Sequence, residues 1–354
     1  MRGVVFLGDR KLELREFPDP TPGPGEVVLA IRASGMCGSD LHSYRSPGGT
    51  AAIGIRGRKE AVIAGHEPCG VVAAVGAGVS AAEAQVGQRV MNHHYNGCGV
   101  CKHCRNGWSQ MCLEGSTVYG ANGHGGHATY MKVPAHTVVP LPDVLSFEAG
   151  AAISCGTGTA YGALRRLNLS GRDTLTVFGQ GPVGLSATML AKAMGARVIA
   201  VDMSPERLGL AESFGADVTI NPQDTEPIEA IKELTHREGT DLALDCSASP
   251  AARIAAIRST RAWGTVCFVG EGNNVTIDVS PDMIRKQLTV MASWTFSKVG
   301  QAECARFIAD RQIPVDRIFT HHFTLDQAEA AYQLFDTQTT GKGVFLFPAQ
   351  GEAS

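Results

Sequence analysis

The chain has 354 residues, 44% of them hydrophobic and 18% charged, with a formal net charge of −3. This is the composition of a globular protein too long for one ordinary core, and it excludes the basic face that a nucleic-acid binder or an acidic-membrane binder needs. The N-terminal run Met1-Arg2-Gly3-Val4-Val5-Phe6 enters a strand-like pattern without a signal-peptide core, and no apolar run reaches membrane-spanning length, so a cytoplasmic protein with neither nucleic acid nor membrane as partner is expected.

Residues 1 to about 150 carry short β-type runs, Val27–Ile31, Gly70–Gly76, Arg89–Met91 and Ala128–Val133, punctuated by glycine and proline. They predict an all-β, barrel-like unit with long loops. Within it, Gly35 to His42 sets a thiol, a hydroxyl, a carboxylate and an imidazole (Cys37, Ser39, Asp40, His42) inside six residues. A thiolate suits zinc, and a catalytic zinc site has three protein ligands with the fourth position left open. Cys37 is the first candidate, and His66, in Gly65-His66-Glu67, and Cys155, in Ser154-Cys155-Gly156, are the other two, each beside a glycine that permits close backbone approach. A lone cysteine more often packs as a small hydrophobe, so the set rests on the rest of the chain.

Cys98, Cys101, Cys104 and Cys112 follow, separated by two, two and seven residues in a polar, glycine-bearing loop. Four thiolates gathered by tight turns fit a closed, structural zinc site. An iron–sulfur cluster also takes four cysteines, typically at other spacings. The remaining cysteines Cys69, Cys246, Cys267 and Cys304 sit in apolar runs or a helix and read as packing, since a reducing compartment argues against disulfides.

The period then changes. The apolar strand Thr174–Phe178 runs into Gly179-Gln180-Gly181-Pro182-Val183-Gly184 and an amphipathic helix to about Met194, and the next strand, Arg197–Val201, ends on Asp202. In that context Gly179, Gly181 and Gly184 allow a tight turn and close approach of a pyrophosphate at the helix N-terminus, and Asp202 can bond the adenosine ribose. A carboxylate repels a 2′-phosphate and Met203 supplies no basic partner, so NAD is preferred over NADP; Arg207, one turn on, can stack on adenine or stay solvated. Further strands at 217–220, 241–246, 264–270 and 288–292, alternating with helices near 228–238 and 251–258, predict a doubly wound parallel sheet. Helices near 301–310 and 325–336 and a strand at 343–347 look like a return to the first lobe.

Taken together, these motifs resemble the zinc-dependent medium-chain alcohol/polyol dehydrogenase family over essentially the whole length. The resemblance implies an α/β fold: a GroES-like, barrel-like β catalytic domain at 1–156 and 293–354 and a Rossmann domain at 157–292. It implies two zinc ions per chain, a catalytic one on Cys37, His66 and Cys155 with Glu67 as a neighbouring or transient ligand, and a structural one on the four-cysteine loop. Asp40 would orient the His66 ring, and Ser39 and His42 would carry the alcohol proton to solvent through the nicotinamide ribose. Val269 and Arg207 would line the cofactor, and Lys342 would take over a pyrophosphate contact that some members make from the position of Gly38. His94, Glu271 and Trp294 fall near substrate-pocket positions; polar side chains there suggest a hydroxylated substrate, whereas Ser154-Cys155 follows the pattern of ordinary alcohol dehydrogenases. A homodimer or homotetramer is expected. The rival readings are a zinc-ribbon nucleic-acid binder, which would leave the dinucleotide motif idle, and a catalytically silent relative with a structural or regulatory role, against which the presence of all three catalytic ligands weighs.

Overall fold

The computed structural model describes residues 1–47, 61–339 and 341–348. It divides into two compact units, Met1–Gly158 with Phe296–Ser354, and Thr159–Thr295. The breaks fall two or three residues later than the boundaries read from the sequence.

The first unit is built on a sheet whose strands run in the order Phe319–Phe323, Lys342–Leu346, Glu26–Gly35, Glu67–Val75, Arg89–Asn92 and Val138–Pro140, with Tyr130–Pro134 also pairing to Glu26–Gly35. The ten-residue strand Glu26–Gly35 holds three partners, and register shifts after Val28 and Ile31 bend it, as bulges do. Two cores form in this unit. One gathers Val27, Leu29, Ile31, Val72, Val90 and Met131. The other sets Val4, Phe6, Met36 and Leu41 against Ala328, Ala331, Tyr332 and Phe335 of the C-terminal helix Ala328–Asp336. The chain therefore does return to the first lobe after the second unit, as its last elements suggested.

The expectation of an all-β first half needs correcting. Asp40–Arg45 and Lys102–Arg105 are short helices, and Phe147–Ile153 is a helix followed directly by Gly156–Arg166. The strand Phe319–Phe323 and the hairpin Arg2–Gly8/Lys11–Glu16 are further elements of the fold. The helix read near 301–310 begins earlier, at Lys298, capped by Ser297.

The second unit is a six-stranded, wholly parallel sheet in the order Val218–Ile220, Arg197–Val201, Thr174–Phe178, Thr240–Asp245, Thr260–Phe268 and Thr289–Ala292. The chain steps outward from Thr174–Phe178 in one direction and then crosses back to build in the other, so the order reverses between Thr174–Phe178 and Thr240–Asp245. In open sheets of this kind ligands bind in the crevice beyond the strand C-termini at that switch point. Ile199, Ala243 and Val266 of the strands pack with Ile231, Ala256 and Ile257 of the helices, all 0–1% exposed.

Candidate metal centres and dinucleotide motif

In the first unit, side chains distant in sequence converge on one point. Cys37 lies just past the end of the strand Glu26–Gly35, His66 just before the start of Glu67–Val75, and Cys155 between the helices Phe147–Ile153 and Gly156–Arg166. One ligand atom from each of Cys37, His66, Glu67 and Cys155 lies within 4.8 Å of all the others. The two sulfurs are 3.9 Å apart, far beyond a disulfide bond and close to the edge of a tetrahedron with metal–sulfur distances of about 2.3 Å, which is ~3.8 Å.

The electrostatics suit a cation. The hydrogen bond from Cys155 drives the Cys37 thiol well below its ordinary pKa against the cost of burial, and the charges of His66 and Lys342 assist; Cys155 is pushed up in turn. Burial opposes the charged form of His66, but Asp40 and Cys37 outweigh it and hold its pKa well above the usual value. Glu67 is fully buried, and burial lifts its carboxyl to about 8 against the pull of Lys342. Its Oε2 has no hydrogen-bond partner among the described residues. A buried set of two sulfurs, an imidazole and an unsatisfied carboxylate oxygen fits zinc.

Asp40 Oδ1 lies 3.0 Å from His66 Nδ1, which frees Nε2 for a metal, and Asp40 Oδ2 accepts from the Cys37 main-chain N–H at 2.9 Å. Asp40 is thus at once a cap on the Cys37 loop and the partner of His66. Ser39 Oγ is 3.3 Å from His66 Nε2, so its hydroxyl stands at the mouth of the cluster. His42 is exposed on the helix Asp40–Arg45. Gly65 adopts φ +88°, and a Cβ there would meet His127 Nδ1 at 2.3 Å; the close approach it permits is to His127, not to the metal.

Lys342 departs from its expected role on the pyrophosphate. Its ammonium is 1% exposed and lies 2.7 Å from both Glu67 oxygens, with hydrogen-bonding geometry to Oε1. His94 is 2% exposed and its ring centroid is 5.1 Å from that of His66. Burial drives its pKa well below the ordinary value, so the ring is neutral. Nδ1 faces the Ser154 carbonyl at 2.9 Å and must carry the proton, which leaves Nε2 as an acceptor. Beside it, His93, which the sequence reading passed over, contacts Gln301 Oε1 through Nδ1 at 3.3 Å and has no partner for Nε2 among the described residues.

The second cluster is local. The small hairpin Tyr95–Asn96/Thr117–Val118 closes the base of the loop, and the sulfurs of Cys98, Cys101, Cys104 and Cys112 lie within 4.8 Å of one another. Main-chain N–H groups of Cys98 and Cys101 point at Cys112 Sγ and Cys98 Sγ, at 3.2 and 3.4 Å. Such bonds favour thiolates: those from main-chain N–H groups lead in pushing Cys101 down to about 6 and Cys112 below its usual value. A Cβ at Gly97 would strike Cys104 Sγ at 2.6 Å, so only glycine lets the sulfurs close up.

In the second unit, Gly179 turns with φ +87°, and a Cβ at Gly184 would meet its carbonyl at 1.8 Å, so the helix Pro182–Ala193 packs tightly on the strand before it. A Cβ at Gly181 would meet nothing within 4 Å, leaving an open cradle at that helix N-terminus of the kind that takes a pyrophosphate. Asp202 accepts from Gln180 N at 2.6 Å and Ser204 N at 2.9 Å, which fixes its carboxylate at the rim. Arg207 is half-buried with Nε unpartnered among the described residues, and Val269 follows the strand Thr260–Phe268, its N–H on the Asp245 carbonyl. Glu271 and Trp294 are exposed in this unit.

Two family profiles match the chain, an alcohol dehydrogenase GroES-like domain over residues 23–143 and a zinc-binding dehydrogenase over 182–310. An uncharacterized zinc-type alcohol dehydrogenase-like protein of Escherichia coli (strain K12) is 42% identical over 352 residues, covering 98% of this chain and 99% of that protein. A sorbitol dehydrogenase of Bacillus subtilis (strain 168) is 30% identical, covering 94% and 93%. Among solved structures, the alcohol dehydrogenase TADH from Thermus sp. ATN1 superposes with a TM-score of 0.88 at 30% identity, covering 98% of this chain and 99% of that one.

Proposed function

The chain belongs to the zinc-dependent medium-chain alcohol dehydrogenase family, oxidoreductases that exchange hydride between a CH–OH group and NAD(H), and from that premise we propose that its substrate is a secondary alcohol or polyol, oxidised at the Cys37, His66, Cys155 cluster. The observation that carries this reading is His94. A neutral imidazole with Nε2 turned acceptor, 5.1 Å ring to ring from His66, offers a partner to a second hydroxyl, and an acceptor that a substrate covers without meeting disfavours a plain alkanol. The similarity to a sorbitol dehydrogenase points the same way.

When bound, zinc would supply Lewis acidity toward the substrate oxygen and the nicotinamide would supply the hydride acceptor. The protein residues do the rest. Cys37, His66 and Cys155 would hold that ion, and Cys98, Cys101, Cys104 and Cys112 a second, structural one. Asp40 keeps the His66 ring turned inward. Ser39, at the mouth of the cluster, would take the alcohol proton as its own moves on through the nicotinamide ribose hydroxyl to the exposed His42 and solvent. Glu67, restrained by Lys342, keeps a carboxylate oxygen beside the ligands. Gly179, Gly181 and Gly184 receive the pyrophosphate, and Asp202 favours the unphosphorylated ribose of NAD. A homodimer or homotetramer in the cytoplasm completes the reading.

A panel of primary alkanols, secondary alcohols and polyols, followed at the NADH absorbance band, tests it. Secondary alcohols or polyols should exceed matched primary alkanols in kcat/KM by about tenfold or more, and His94→Phe should compress that ratio. Preference for primary alkanols, or a ratio that His94→Phe leaves unmoved, would overturn the assignment.

A further inference from the structure

Behind His66 the Asp40 carboxylate is the end of a longer buried chain. Ser34 Oγ lies 2.8 Å from His127 Nδ1, His127 Nε2 lies 2.7 Å from the Tyr332 hydroxyl, and that hydroxyl lies 3.1 Å from Asp40 Oδ2. Ser34, His127 and Tyr332 are all 0% exposed. The groups come from the strand Glu26–Gly35, the segment before Tyr130–Pro134 and the C-terminal helix Ala328–Asp336, so three parts of the first unit meet on one carboxylate.

The direction of every bond follows from the carboxylate. Tyr332 donates to Asp40 Oδ2, which uses the single proton of the phenol. The phenol oxygen is then left as an acceptor, which requires the proton of His127 to sit on Nε2. His127 Nδ1 in turn accepts from the Ser34 hydroxyl. The protonation states agree: burial pushes His127 down to about 4, so its ring is neutral near pH 7, and burial, with Asp40 adding, raises the Tyr332 phenol well above its ordinary value. Aromatic rings enclose the chain. Phe6 meets the Tyr332 ring edge-on at 4.8 Å, Phe345 meets the His127 ring at 4.8 Å, and the missing side chain of Gly65 leaves the space that His127 fills.

We propose that Tyr332, oriented by His127 and Ser34, is a positioning residue of the catalytic metal centre: it fixes the Asp40 carboxylate and through it both the His66 ring and the Cys37 loop. Without the phenol donor, Asp40 Oδ2 keeps only the Cys37 N–H and is free to turn, and His66 loses the hold on its inward tautomer. This rests on the reading that Cys37, His66 and Cys155 bind the metal. Partners that hold a metal-ligating histidine from behind typically change metal affinity by about 10–100-fold when removed. The C-terminal helix therefore carries a determinant of metal retention with no atom in the ligand set.

The test uses the full-length enzyme with cobalt(II) in place of zinc. Tyr332→Phe deletes one oxygen and preserves the ring, whereas Phe6→Leu loosens the packing around Tyr332 and leaves the donor chain intact. Tyr332→Phe should keep the thiolate-to-cobalt charge-transfer band, shift the d–d envelope, and release the catalytic cobalt to a chelator about tenfold faster or more. Phe6→Leu should lower thermal stability and leave both the spectrum and the release rate at wild-type values. Wild-type spectrum and release in Tyr332→Phe would overturn the proposal, as would equal acceleration in Phe6→Leu, which would mean general loosening. A wild-type protein with no cobalt bound beyond the four-cysteine loop would instead overturn the metal-centre reading beneath it.

Discussion

Lys342→Met would strand the Glu67 carboxylate in the interior. Glu67 and Lys342 are 0% and 1% exposed and meet at 2.7 Å, and Oε2 has no other hydrogen-bond partner among the described residues. Methionine keeps the length and apolar stem of lysine, so the change isolates the charge. With a catalytic cation bound beside it Glu67 would stay ionised, and removing one partner of a buried pair then costs about 3–5 kcal/mol, because the survivor pays its desolvation alone. At about 2–4 °C per kcal/mol for a unit of this size, the transition should fall by ~6–20 °C. In Glu67→Gln with Lys342→Met no buried charge is left unpaired, so most of the loss should return, and the four-member cycle should give a coupling above about 2 kcal/mol. Calorimetry on metal-loaded protein, with metal content measured for each variant, separates this effect from loss of zinc. A single variant within about 2 °C of wild type, or a double variant no more stable than the single, would refute the reasoning.

Cys98→Ser should lower both metal content and the unfolding temperature, because binding at a closed thiolate site is coupled to folding; full zinc content with unchanged unfolding would remove the structural assignment. Asp202→Ala combined with Met203→Arg should move the ratio of catalytic efficiencies from NAD toward NADP by removing a repulsion and adding a phosphate partner, and an unmoved ratio would mean that Asp202 does not meet the ribose. His42→Gln should retain metal and NAD affinity while turnover falls by about 10², most at low pH, with partial rescue by imidazole buffers. Wild-type turnover across the pH range, with hydride transfer shown by isotope effect to limit the rate, would take His42 out of the proton path.

The parts of the molecule legible in the sequence were those whose partners are close along the chain. The four cysteines lie within fifteen residues, and their loop needs only its own turns. The glycine turn and Asp202 are adjacent elements of one βαβ unit. Cys37, His66 and Cys155 are far apart, and they could be read together because each sits in a distinctive local motif. The chain behind them has no such signature. Tyr332 and Asp40 are separated by 292 residues, and nothing in the helix Ala328–Asp336, whose aromatics are Tyr332 and Phe335, marks the tyrosine as a buried donor. Lys342 is a lone basic residue at the head of an apolar strand, which reads as a pyrophosphate contact until its buried pairing with Glu67 is seen. The helix Phe147–Ile153 was missed because Gly150 interrupts it, yet that glycine is required: a Cβ there would strike Cys69 Sγ at 2.3 Å. The strand Phe319–Phe323 carries Thr320, His321 and His322 at its centre and shows little apolar alternation; it pairs in parallel with Lys342–Leu346 at the end of the sheet order.

The first unit leaves its own fold at Gly158 and resumes it at Phe296, and these two points touch: a Cβ on Gly158 would lie 2.8 Å from the Phe296 ring. An exit and an entry in contact make the intervening 137 residues, Thr159–Thr295, an insertion in the manner of a cassette, since the host core is complete on either side of the break and closing it needs only a short loop. Two consequences follow for engineering. A minimal host joined from Gly158 to Phe296 by a few glycines should retain both cysteine clusters and the buried donor chain, and a dinucleotide unit of different cofactor preference can be exchanged at the same two residues without redrawing the loop that carries Cys37 or the helix that carries Tyr332.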